Sequence, residues 1–107
     1  MTTFDEREQG FEAGFAHDQE VEFRAHMRRD KLLGLWAGER MGLTAEALEA
    51  YSQSLCRSEL RDHDEERLFQ KVVADLAEAR VDVLPHEVRA RMDEFLAVAR
   101  TQIRDGT

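Results

Sequence analysis

The chain has 107 residues, enough for one modest core, with 42% hydrophobic and 36% charged residues, the balance of a soluble, strongly helical domain. A net charge of −8 excludes a general nucleic-acid binder, which needs a clustered positive surface. The single cysteine, Cys56, excludes an intrachain disulfide and fits a reducing compartment.

Residues 1–42 read as one helical element with two chemically opposite halves. Residues 1–22 carry seven acids against one base, Arg7, a net −6, whereas residues 23–42 carry five bases against two acids, a net +3. Residues 43–107 return to −5, so the only basic region is the second half of the first helix. Thr3 and Glu6 have capping-box spacing, which predicts a helix start near Phe4. The apolar residues of this half are few: Phe4, Phe11 and Phe15, interrupted by Gly10 and Gly14. Each interior glycine costs roughly 1 kcal/mol relative to Ala, so residues 1–20 are expected to be mobile or marginally helical when free. From Phe23 the pattern becomes dense: Phe23, Met27, Leu32, Leu33, Leu35, Trp36 and Ala37 predict a packed helix, and Gly42 is placed to end it. A helix held firmly at one end and weakly at the other suits a segment that changes its partner.

Thr44 predicts the cap of a second helix with a buried face of Ala47, Leu48, Tyr51, Leu55 and Cys56. The polar run RSELRDHDEE (57–66) breaks that pattern, and Asp62 with Glu65 predicts the start of a third helix. Its stripe is Leu68, Phe69, Val72, Val73, Leu76, Ala79 and Arg80. Leu84-Pro85 separates it from a fourth helix, Pro85 suiting the first turn. That helix carries Val88, Met92, Phe95, Leu96, Ala99 and Ile103 at helical spacing. No segment alternates at period two. The expected fold is all-α, a four-helix bundle-like domain over residues 21–107 preceded by the segment 1–20.

Catalytic signatures are missing from the sequence. The histidines (His17, His26, His63, His86) are scattered, and no two are spaced for metal ligation, so no metal is expected. Cys56 has neither a neighbouring His nor a CxxC partner and reads as a small buried hydrophobe. Gly34, Gly38 and Gly42 share a helix face that admits a close neighbour and do not form a phosphate loop. Acid pairs such as Glu65/Glu66 read as solvated charge. An enzyme is therefore not expected, and no cofactor is required. The basic cluster Arg24, Arg28, Arg29 and Lys31 has two readings. It is a solvated face paired to acids on adjacent helices, or an anion site for a phosphate-bearing small molecule, with Trp36 as a stacking aromatic or a core residue.

With these residues in view, the chain resembles the zeta subunit family of alpha-proteobacterial F-type ATP synthase, small inhibitors of ATP hydrolysis. The resemblance runs from TTFDERE (2–8) and FAHDQE (15–20) through RRDKLLGLWAGE (28–39) and MGLTAEALEAY (41–51) to KVVADL (71–76) and RMDEFLAVAR (91–100). It implies a four-helix fold, an inhibitory N-terminal segment, the catalytic headpiece of the synthase as partner, and ADP or ATP as regulatory ligand. Phe4, Arg7, Phe11 and Phe15 are then the expected partner-binding residues, and Arg24, Arg28, Arg29 and Lys31 the candidates for nucleotide. Asp30 stands where the family usually has Asn, Gly14 where a long polar residue is common, and Gly38 where Ala is usual. Leu84-Pro85 replaces a Ser-Asp helix start. No apolar run reaches the ~20 residues that span a bilayer, so the expected protein is cytoplasmic, monomeric when free and peripheral on the membrane-bound synthase. A soluble nucleotide-sensing module acting on another partner, and a plain structural bundle, are the alternatives.

Overall fold

The computed structural model describes the backbone of residues 2–106 and the side chains of residues 17–106. Four helices account for the architecture: α1 (Thr2–Arg40), α2 (Ala45–Arg61), α3 (Glu65–Glu78) and α4 (Pro85–Arg104), with no strand among the described residues. α1 is the spine. It packs chiefly on α2 and α4, while α3 joins the others through smaller contacts. Being gripped from two sides, α1 spreads its buried residues around its circumference instead of presenting one stripe. The side chains of Phe4, Arg7, Phe11 and Phe15, on which the expected division at residue 20 turns, lie outside the described residues.

The core joins Leu33 and Ala37 of α1, Leu55 of α2, Leu68, Val72 and Leu76 of α3, and Val88 and Met92 of α4. Trp36, Tyr51, Phe69 and Phe95 pack around it, half-buried. Fully burying one such aliphatic side chain is worth roughly 1.5–3 kcal/mol. Ala25 of α1 and Ala99 of α4 are also wholly buried, on two helices that pack together. A Cβ on Gly34 would lie 2.6 Å from the Ser52 Cα, so α1 and α2 nearly touch backbone to backbone there. The Ser52 hydroxyl, buried in that contact, donates to the Lys31 carbonyl at 3.1 Å.

The helix ends follow local chemistry. Leu43 N–H reaches the Gly38 carbonyl and Gly42 N–H the Glu39 carbonyl, a Schellman motif with Gly42 at φ +84°. α3 closes the same way, with Val81 N–H on the Leu76 carbonyl and Arg80 N–H on the Ala77 carbonyl. Here the left-handed position falls on Arg80 at φ +61°, which ends the helix before the Ala79 and Arg80 assigned to its stripe. Pro85 opens α4 as expected, with Leu84 extended before it.

Several expectations are corrected. Phe23, read as a packing residue, is 46% exposed, and Ala47 is exposed while Ser52 and Glu59 take the buried face of α2. α2 continues through Arg57–Arg61, inside the run expected to break it. Thr44 occupies the N-cap of α2 but its side chain makes no capping hydrogen bond. Asp64, not Asp62, caps α3 and accepts from Arg67 N–H at 3.1 Å. Asp62 is still bonded backward to the Ser58 carbonyl, and Glu65 is turned toward Arg29, so neither is free for the predicted capping box.

Candidate functional site

The basic stretch Arg24–Lys31 divides between two surfaces of α1. A helix turns about 100° per residue, so neighbours in sequence face different surroundings. Arg24, Arg28 and Lys31 line a groove of about 350 Å³ together with Phe23, Met27 and Cys56. Ile103 closes it from α4. The lining holds three bases and no acid, and Arg28 donates to Gln102 Oε1 at 3.4 Å. Three cations beside apolar neighbours, with no carboxylate in the lining, can receive an anion. Phe23 stands at that groove, whereas Trp36 packs on the core, so the aromatic available to a ligand there is Phe23. The Cys56 thiol sits within reach of the Met27 carbonyl at 3.5 Å. Burial, with Asp30 nearby, pushes its pKa up, which keeps it a thiol and chemically quiet.

Arg29 goes inward. It is 1% exposed, beside Asp30 at 0%. Its Nε donates to Asp30 Oδ1, and its Nη1 and Nη2 fork onto Glu65 Oε2 and Oε1 at 2.9 and 2.7 Å. Burial pulls the guanidinium pKa down, but Glu65 and Asp30 together outweigh it and hold it above its ordinary value. The Arg29 fork in turn holds the Glu65 carboxyl below the usual range. Asp30 behaves differently. Desolvation pushes its carboxyl up to about 7 despite the Arg29 contact, and its Oδ2 has no hydrogen-bond partner.

Two histidines frame this network. His26 Nδ1 donates to the Glu22 carbonyl at 2.7 Å, and its Nε2 lies 3.8 Å from Glu65 Oε1. His63 Nδ1 bonds the buried Glu59. The two imidazoles meet edge to face with centroids 5.0 Å apart. At the outer surface, Arg100 of α4 forks onto Glu22 of α1 at 2.9 and 2.8 Å. Its hydrogen bonds lower the Glu22 pKa.

Sequence reasoning grouped Arg24, Arg28, Arg29 and Lys31; the structure gathers three of them at the groove and seats Arg29 inside. It missed Glu59 and Glu65 as partners of a buried network, and the pairing of His26 with His63. The usable signal was Glu22/His26 and Glu59/His63, each an acid four residues ahead of a histidine, which shares a helix face.

Fold and groove together define a small four-helix protein that presents a basic groove at its surface. The chain belongs to the ATPase inhibitor subunit zeta family, whose model matches residues 1–102. It is also similar to a protein solved in solution by NMR, at 31% identity and a TM-score of 0.69, over 81% of this chain and 99% of that one. No curated protein matches it. Among the described residues no helix is long and apolar enough to cross a membrane.

Proposed function

We propose that this chain inhibits ATP hydrolysis by F-type ATP synthase by inserting its N-terminal segment into the catalytic headpiece. The observation that carries the reading is the family match, which begins at residue 1 and so includes the acidic, phenylalanine-bearing segment. Phe11 and Phe15 are i, i+4 neighbours and Phe4 lies seven residues before Phe11, so a helix presents them as one ridge. Arg7 belongs to the same partner-binding set. Wedged into a subunit interface, that ridge blocks the closure a catalytic cycle needs. The folded remainder anchors the segment and raises its local concentration. Association with the synthase places the protein peripherally on the membrane-bound complex.

The test is ATP hydrolysis by the synthase with the full chain, with residues 1–20 removed, and with Phe11→Ala plus Phe15→Ala. Inhibition lost in both variants while the melting temperature holds supports insertion. A double variant that melts much earlier yet still inhibits returns the ridge to the protein's own core.

A second element of the reading is ADP or ATP as a regulatory ligand in the Arg24/Arg28/Lys31 groove, supported by three bases without an intervening acid. A nucleotide-sensing module with another partner shares that groove. It is separated from an inhibitor by the hydrolysis assay, which it would leave unmoved.

A further inference from the structure

We propose that His26, His63 and Glu65 bind a divalent transition-metal ion of the Zn²⁺ class at the corner where α1, the α2–α3 connection and the start of α3 meet. One ligand atom from each of the three residues lies within 4.8 Å of the others, although they stand 37 and 39 positions apart in sequence. Zinc ligands at bonds of about 2.0–2.2 Å sit roughly 3.3–3.5 Å from one another on a tetrahedron. Small side-chain rotations close the difference, and the His63 side chain is 60% exposed and able to turn.

The surroundings set both rings for ligation. The Glu22 carbonyl can only accept, so His26 Nδ1 is the N–H donor there and Nε2 is the ring atom left to offer a metal. Glu59 does the same for His63, its carboxylate receiving Nδ1–H. An imidazole whose far N–H is held by a carbonyl or carboxylate is the arrangement that orients metal-binding histidines and raises their basicity. Glu65 is held by the Arg29 fork. Each carboxylate oxygen has two lone pairs, so Oε1, 3.8 Å from His26 Nε2, can serve Arg29 and a cation together. A cleft of about 530 Å³, bordered by Phe23 and Leu60 as well as Asp18, Glu22 and Glu59, opens beside the rings. The cleft leaves the rings open to solvent, so water can complete the coordination. Two imidazoles with one carboxylate suit zinc and not magnesium or calcium, which prefer oxygen.

The experiment is a zinc titration of the full-length chain without a histidine tag, by calorimetry, with Co²⁺ absorption reporting coordination number. The wild type is expected to bind one zinc and to melt at a higher temperature with it. His63→Ala, a change at an exposed residue, is expected to weaken binding more than ~100-fold and abolish the thermal shift. Glu59→Gln is expected to weaken it by ~10–100-fold, the usual effect of losing a partner that orients a ligand. His86→Ala, on α4, leaves binding intact. Should the wild type take no zinc at one equivalent, or His63→Ala bind as tightly as the wild type, the proposal is overturned. Loss of binding in His86→Ala would equally overturn it by moving the site elsewhere.

Discussion

Arg28 and Arg29 are adjacent in the chain and have opposite fates. Arg28 opens onto a solvent groove with Arg24 and Lys31, while Arg29 is enclosed with Asp30 and braced on Glu65. The outer set keeps its charges at the groove, with Arg28 touching Gln102; the inner set is committed to its own fold. Coulomb attraction near a surface is screened and worth little, but inside it must offset desolvation of every group involved. The same residue type therefore lines an open groove on one side of α1 and braces the interior on the other.

The comparison breaks most directly at Arg29. Arg29→Met leaves Asp30 and Glu65 without their cation, and removing one partner of a buried pair costs about 3–5 kcal/mol. Arg28→Met is expected to change stability by no more than about 0.5 kcal/mol. Chemical denaturation of the two variants measures the contrast, and equal midpoints would erase it.

The outer set is tested by ligand. Arg28→Gln with Lys31→Gln is expected to weaken ADP binding, each charge-assisted contact being worth about 1.5–3 kcal/mol, while the melting temperature stays put. Calorimetric titration at two salt concentrations checks it, since the salt dependence should fall with the affinity. Unaltered ADP affinity would take nucleotide out of the groove.

Asp30 sharpens the comparison through pH. Its carboxyl is raised from 3.8 to about 7, so between those values the folded chain holds a proton that the unfolded chain has released. Its contribution to stability is complete below the unfolded pKa and is lost as pH rises toward 7, with a slope of up to about 1.4 kcal/mol per pH unit. Glu65 and Glu22 have lowered pKa values. Their contribution is present above about 4.5 and lost as pH falls through their folded values, a lower window. Asp30→Asn is expected to flatten the stability profile between pH 5 and 7 and leave the acid limb in place. Denaturant midpoints at half-unit pH intervals would show it; an unflattened profile would mean that another group carries the slope.

The smallest effect belongs to the Glu22–Arg100 fork. Arg100 is half-exposed, and such pairs contribute about 0.2–1 kcal/mol. Arg100→Gln is expected to lower the melting temperature slightly, less so at high salt.

The same inside–outside division explains what the sequence disclosed. α3 and α4 were readable because Leu68, Val72 and Leu76, and Val88, Met92 and Ala99, recur on one face and are buried there. Gly42 and Pro85 were readable because each has one natural place at a helix end. Arg29 and Asp30 were not, because charge is read as solvent-facing until a partner is known, and Glu65 lies 36 residues away. Asp62 and Asp64 carry the same capping side chain two positions apart; Asp62 is still bonded to the end of α2, and Asp64 takes the cap of α3. Of the candidate anion site, Arg24, Arg28 and Lys31 were legible from their i, i+4, i+7 spacing. The exposure of Phe23 was not, since an aromatic at helical spacing looks the same in a core and at a rim.

The contact at Gly34 has a mechanical consequence. With the backbones of α1 and α2 meeting at a single glycine, and Ser52 latched to the Lys31 carbonyl, that crossing acts as a pivot. Along the same face of α1 the neighbours of Gly34 are Lys31 and Gly38, so the Ser52 latch on the Lys31 carbonyl, more than side-chain bulk, holds the two helices in register.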